Sequence, residues 1–143
     1  MRLITAILVL SATLFSQQKP LRERLLERAQ AGDAEAQYDL AKNLETGRIG
    51  LKRDLAQAEH WYRAAAEQGD PFAQAGLAIL YQFGKGVKAD PVEALMWYTL
   101  ASNATKGGDH DSIAEMRDNL TQQMTASQRA EALDRASKWT PKR

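Results

Sequence analysis

A repeat of about 37 residues runs through the middle of the chain, and it restricts the fold more than any other feature. Seven residues in the first half of the repeat recur at an offset of 37, and seven more in the second half recur at an offset of 36. The first set is Gly32, Asp33, Ala36, Gln37, Leu40, Ala41 and Gly47, which recur as Gly69, Asp70, Ala73, Gln74, Leu77, Ala78 and Gly84. The second set is Gly50, Lys52, Asp54, Ala58, Trp61, Tyr62 and Ala65, which recur as Gly86, Lys88, Asp90, Ala94, Trp97, Tyr98 and Ala101. A repeat of this length predicts stacked copies of one supersecondary unit.

Each copy is predicted to contain two helices, a helix A followed by a helix B. In the second copy, Asp70 and Asp90 each offer a capping carboxylate, and a proline follows each at the first helical position. Asp33 and Asp54 occupy the same positions in the first copy. Apolar residues then recur at spacings of three and four, which indicates one buried face on each helix. Alanines at the shared positions predict close helix packing against the Trp-Tyr pair of each helix B.

The segments outside the two copies predict capping helices, because fewer than three repeats seldom bury a sufficient core. The first is a charged helix with an apolar edge of Leu21, Leu25 and Leu26, and the last begins with a capping box of Thr125 and Gln128. The predicted organisation is an N-capping helix at 20–31, repeats at 32–68 and 69–105, and a C-terminal capping helix pair at 109–139. The predicted fold class is therefore all-α, a short α-solenoid of antiparallel helix pairs with capping helices at both ends.

The first residues predict an export signal instead of part of the fold. Arg2 precedes an apolar run from Leu3 to Phe15, which is shorter than the roughly 20 residues of a membrane-spanning helix. We expect a signal peptide at 1–16 and a periplasmic or secreted protein. An uncleaved membrane anchor is the alternative, and the chain would contact a membrane only in that case.

Charge and composition exclude several classes of function. Removal of Arg2 with the signal peptide leaves 18 of the 19 basic residues against 18 acidic ones, so we expect no nucleic-acid partner. The absence of cysteine excludes disulfides and thiolate metal sites. His60 and His110 are far apart in the sequence, and neither belongs to a ligand-spaced pair, so no metal site is predicted.

Sequence motifs give no support to catalysis. No G-x-S-x-G elbow is present. The Gly84-Lys85-Gly86 segment lacks the spacing of a phosphate-binding loop, and its recurrence in the repeat indicates a turn between helices. We therefore expect no catalytic residues and no cofactor.

Positions at which the two copies differ predict a binding surface on helix A, because the shared positions are occupied by packing residues. Lys42 of the first helix A is replaced by Ile79 in the second, and Thr46 is replaced by Phe83. An exposed apolar patch is a liability unless it contacts something, so either a partner or the C-terminal helices should cover it. The hypothesis is a groove that accepts a protein or peptide segment. Its predicted residues are Tyr38, Lys42, Ile79, Gln82 and Phe83.

The two copies resemble the Sel1-like repeat family of tetratricopeptide-like, paired-helix solenoids, in its exported bacterial form. The similar strings are GDAEAQYDLAKNLETGRIGLKRDLAQAEHWYRAAAEQ and GDPFAQAGLAILYQFGKGVKADPVEALMWYTLASNA. The second follows the family pattern closely, whereas the first departs from it at Leu44, where tyrosine is usual, and in its loop. Tetratricopeptide repeats are the alternative, but their tryptophan lies in helix A and their repeat is shorter.

The resemblance implies a non-enzymatic protein-binding adaptor of the bacterial cell envelope. It leaves two alternatives, which are a cell-envelope enzyme, β-lactamase-like or wall-related, and a membrane-anchored structural subunit. A cysteine-rich branch of the family has been described as β-lactamases. This chain lacks those cysteines, so that chemistry is not carried over to it.

Overall fold

The computed structural model describes residues 19–142, which form seven helices and no strand. The helices are α1 (Leu21–Gln30), α2 (Ala34–Thr46), α3 (Leu55–Glu67), α4 (Pro71–Phe83), α5 (Pro91–Ala104), α6 (Gly107–Gln123) and α7 (Ala126–Lys138). Within this part of the chain, every helix is too short or too polar to cross a membrane. The signal-peptide prediction for residues 1–16 lies outside the described residues.

The predicted all-α solenoid is confirmed, with helices A and B as α2 and α3 in the first repeat and α4 and α5 in the second. The four predicted capping residues cap these helices, because each accepts a hydrogen bond from a backbone N–H in the first turn. They are Asp33, Asp54, Asp70 and Asp90. Gly47 and Gly84 end the two A helices in the left-handed conformation, with φ of 70° and 64°. The local signals in the sequence therefore set the helix ends.

A recurring hydrogen bond joins each helix A to the helix before it. The side-chain amides of Gln37 and Gln74 each donate to the carbonyl oxygen of the residue eight positions earlier, at 3.1 and 3.2 Å. His110 Nδ1 lies 2.8 Å from the carbonyl oxygen eight positions before it and takes the same place in α6. Helix α6 is therefore a third helix A, a relationship that the sequence analysis did not predict.

The last two helices both cover α5. Helix α6 begins at Gly107, two residues before the predicted start, after an extended link of Thr105 and Lys106, and Gly107 has a φ of 65°. Helices α6 and α7 each pack mainly against α5, and a hydrogen bond from the Arg129 guanidinium to the Thr121 carbonyl joins them to each other. As a result α5 is covered by α4, α6 and α7, and its Leu95, Met96, Trp97 and Tyr98 are all buried.

The N-terminal helix buries a narrower stripe than its three leucines predict. Leu25 is buried together with Ala29, four residues later, but Leu21 and Leu26 are exposed. The reason is that α1, at the end of the stack, packs mainly against one neighbouring helix, α2. Ile49, in the loop between α2 and α3, lines the same small concavity as Leu21 and Leu25.

The C-terminal tail returns to the junction between the repeats. Trp139 packs edge to face against Trp97, with ring centroids 6.1 Å apart. Beyond it, the Lys142 ammonium lies 2.9 Å from the Glu67 carboxylate, and the Lys142 N–H donates to the Glu67 carbonyl at 2.7 Å. The tail therefore ties α7 to the end of α3.

Close packing between the repeats depends on a glycine inside α4. A Cβ atom at Gly76 would lie 2.8 Å from Cε1 of the buried Tyr62 ring, which is closer than carbon atoms pack. Glycine in mid-helix is usually unfavourable by about 1 kcal/mol relative to alanine. Here the missing side chain is what lets α3 and α4 approach.

We therefore expect Gly76→Ala to lower the free energy of unfolding by about 1–2 kcal/mol, because the cost of overpacking exceeds the gain in helix propensity. Urea unfolding followed by circular dichroism measures this change. Gly108→Ala is the matched control, since a Cβ atom there meets nothing within 4 Å. A Gly76→Ala protein as stable as the parent would contradict this account of the packing.

Candidate functional site

Side chains of the three A helices, together with Tyr62 of α3, line a groove of about 330 Å³ that we call the helix-A groove. Its α2 residues are Tyr38, Lys42, Glu45 and Thr46, its α4 residues are Phe72, Ala75, Gly76 and Ile79, and its α6 residues are Asp109, Ser112 and Ile113. The groove exists because α6 extends the row of A helices beyond the two repeats. It is large enough for one or two side chains of a bound segment, and its volume is at the lower end of the range of small-molecule pockets, about 300–1,000 Å³.

Aromatic rings form one wall of the helix-A groove. The ring centroid of Tyr38 lies 6.0 Å from that of Tyr62 and 6.2 Å from that of Phe72, with tilted planes in both pairs. Phe72 is 45% exposed, and Ile79 is half-buried beside it. The wall therefore offers apolar surface and ring faces to an incoming group.

The polar groups of the groove come from three helices. The Tyr62 hydroxyl donates a hydrogen bond to Glu45 Oε2 at 2.9 Å. Burial raises the pKa of Tyr62 well above its ordinary value, and the negative charge of Glu45 raises it further, so the phenol stays protonated as the donor. The Lys42 ammonium lies 5.7 Å from the centroid of the Tyr38 ring, and the exposed Asp109 lies on the α6 side.

The second repeat contains the same hydrogen bond with a neutral acceptor. The Tyr98 hydroxyl donates to Gln82 Oε1 at 2.8 Å, and Gln82 occupies the repeat position of Glu45. Burial also raises the pKa of Tyr98. Gln82, which was predicted to contact a partner, therefore has its side-chain oxygen engaged in the scaffold.

The five predicted groove residues do not line one groove. Tyr38, Lys42 and Ile79 lie together in the helix-A groove. Gln82 and Phe83 lie one helical turn beyond Ile79, in a second depression at the ends of α4 and α6. Phe83 is 63% exposed, so the C-terminal helices do not cover it. A binding role for these five residues stays a prediction.

Several groove residues were missed by the sequence analysis. Phe72 replaces the equivalent Glu35 of the first repeat, so the comparison of copies that singled out Ile79 could have found it. Glu45 could have been found in the same way from its replacement by Gln82. Asp109 and the other α6 residues gave no such signal, because α6 shares too few identities with the repeats to be aligned.

Titratable groups within residues 19–142 are dispersed. No three histidine, aspartate or glutamate side chains in this region are grouped closely enough to hold a metal ion. His60 is exposed and packs edge to face on its neighbour Trp61, with ring centroids 5.1 Å apart. The arrangement of the helix-A groove suits recognition of a side chain through ring faces, apolar surface and a carboxylate.

Comparison with known proteins agrees with this architecture. The sequence profile of the Sel1 repeat matches residues 34–70 and 71–105. The chain belongs to the Sel1-repeat family. Proteins built from Sel1 repeats generally mediate protein–protein interactions, and the family is typically a scaffold without enzymatic activity. No curated protein sequence matches this Sel1-repeat chain.

Two solved structures of Sel1-repeat proteins are similar to it. One is a protective antigen present in uropathogenic Escherichia coli strains that displays an SLR fold, with 34% identity over 82% of this chain and a TM-score of 0.74. The other is a Sel1 repeat protein from Oxalobacter formigenes, with 31% identity over 67% of this chain and a TM-score of 0.59. This chain spans only 24% and 39% of the lengths of those proteins.

The hydrogen bond that Tyr62 donates should require an acceptor at position 45, but it should not require a negative charge there. We expect Glu45→Gln to change the free energy of unfolding by less than about 0.5 kcal/mol, since Gln82 fills the same role for Tyr98. Glu45→Ala removes the acceptor and should cost about 1 kcal/mol. Urea unfolding of the two variants distinguishes these cases, and equal losses in both would show that the fold requires the carboxylate.

Proposed function

We propose that this chain is a non-enzymatic protein-binding module that holds a segment of a partner protein in the helix-A groove. The observation that carries this proposal is the open wall of Tyr38, Phe72 and Ile79 on the face made by the A helices. Complete burial of one large apolar side chain is worth about 1.5–3 kcal/mol, so these three residues can supply the core of an interface. The general role of Sel1 repeats in protein–protein interaction supports the same conclusion.

The positions of these residues in the repeat also favour binding over packing. Scaffold residues such as Leu40 and Leu77 recur in both copies and are buried in both. Phe72 and Ile79 replace Glu35 and Lys42, and Phe72 stays exposed in the folded chain. The repeat itself does not require large apolar groups at these places, and an exposed patch of this kind marks an interaction site.

Replacement of the apolar wall should abolish binding without unfolding the chain. We expect the double variant Phe72→Ser, Ile79→Ser to reduce the amount of partner recovered from cell-envelope extracts at least tenfold, because two apolar contacts are lost. Quantitative affinity purification measures the recovery, and circular dichroism checks the helix content.

Leu21→Ser and Leu133→Ser serve as controls, since both leucines are exposed outside the helix-A groove. Phe83→Ser, tested separately, reports whether the second depression takes part in binding. Full recovery of the partner by the double variant, or no partner for the parent chain, would refute the proposal.

We further propose that the chain is exported to the periplasm or secreted, after removal of residues 1–16. The support is the sequence pattern of one basic residue, Arg2, followed by the apolar run from Leu3 to Phe15. Retention of this run would instead make the chain a membrane-anchored subunit.

N-terminal sequencing of the chain recovered from periplasmic and membrane fractions tests this proposal. We expect the periplasmic chain to begin at Gln17, because signal peptidase cuts after a short apolar run that ends in small or polar residues. A chain that begins at Met1 and stays in the membrane fraction would establish the anchored alternative.

A further inference from the structure

The negative charge of Glu45 exceeds what the scaffold requires. In both repeats, the tyrosine of helix B donates to a side-chain oxygen near the end of helix A, at 2.9 Å to Glu45 and 2.8 Å to Gln82. An amide oxygen therefore suffices for the structural hydrogen bond. A partly buried carboxylate costs more desolvation than an amide, so the charge at position 45 has no explanation in the fold.

The carboxylates of the groove form no salt bridge within the described part of the chain, although Lys42 lines the same groove. Among residues 19–142, neither Glu45 nor Asp109 has a basic nitrogen within 4.0 Å, although ten ion pairs form elsewhere in this region. Only one oxygen of Glu45 accepts the Tyr62 hydroxyl, which leaves the other available to a donor from outside. The groove therefore presents negative charge beside its aromatic wall.

A cation already lies against that aromatic wall. The Lys42 ammonium is 5.7 Å from the centroid of the Tyr38 ring, within the range of a cation–π interaction. Lys42 itself is exposed, and its long side chain can swing aside into water. The ring face therefore attracts the Lys42 ammonium, which forms no salt bridge with the residues that the structure describes.

We propose that the bound partner segment inserts a lysine or arginine side chain, flanked by apolar residues, between the Tyr38 ring and the Glu45 carboxylate. The incoming cation displaces the Lys42 ammonium, while the flanking apolar residues contact Phe72 and Ile79. This inference rests on the proposed function and adds the chemistry of the partner.

Other partner chemistries fit the groove less well. An acidic segment would bring negative charge toward Glu45 and Asp109, which repel it. A purely apolar segment would cover the Glu45 carboxylate without supplying a counter-charge, and burial of an unpaired charge is costly. A basic side chain between apolar residues satisfies the carboxylate and the aromatic wall together.

The test uses random twelve-residue peptides displayed on phage and selected on the purified chain. One recovered peptide is synthesised with a fluorescent label, together with a matched version in which its basic residue is replaced by norleucine. Fluorescence anisotropy then gives the dissociation constants for the parent chain and its variants. We expect the recovered sequences to share one lysine or arginine flanked by apolar residues.

Two groove variants should change affinity in opposite directions. Glu45→Gln should weaken binding of the basic peptide about tenfold, because the charged hydrogen bond is lost. The same change should not weaken binding of the norleucine peptide, which no longer has to cover an unpaired carboxylate. Lys42→Met should strengthen binding of the basic peptide about threefold, because the competing cation is removed. Lys85→Met is the matched control, since Lys85 lies 5.7 Å from the Phe83 ring, outside the helix-A groove, and should change nothing.

The outcomes separate this inference from the proposed function. Peptides whose binding depends on Phe72 but not on Glu45 would overturn the inference and leave the binding groove in place. Weaker binding by Lys42→Met would also overturn it, because Lys42 would then be the partner of Glu45 in the complex. Recovery of no peptide that depends on Phe72 would overturn both proposals.

Discussion

The stack of helices depends on one tyrosine from each helix B. Tyr62 lies against the bare backbone of Gly76 in the following helix and donates its hydroxyl to Glu45 in the preceding one. Tyr98 repeats this bond with Gln82. A single buried side chain thereby joins three helices, and its aromatic area and its hydrogen bond both favour the same spacing. A change in that spacing would break both interactions at once.

This arrangement leaves the surface of the A helices free to vary. The residues that hold the repeats together are alanines, leucines and glutamines that recur and are buried in both copies. The residues that differ, such as Lys42 and Ile79, point toward the helix-A groove. A repeat scaffold can therefore change its partner with little loss of stability, because most recognition positions, Glu45 excepted, differ from the packing positions on the same helix.

The groove is completed by a helix that does not resemble the others in sequence. Helix α6 joins the row because His110 contacts the preceding helix at the carbonyl position that Gln37 and Gln74 use. Its Asp109 and Ile113 then form the far side of the groove. Two repeats alone would offer an open face, whereas the third helix A converts that face into a concavity with charge at its edge.

The sequence by itself determined the helices, their caps and the order of the pairs, because capping and periodicity are local properties of a few neighbouring residues. It also placed Tyr38, Lys42 and Ile79 on one surface. Only the tertiary structure decided that α7 covers α5 and that Phe83 lies apart from Ile79 in a second depression. Those features depend on how helices that are far apart in the sequence pack against one another. Residue spacing along a single helix does not determine that packing.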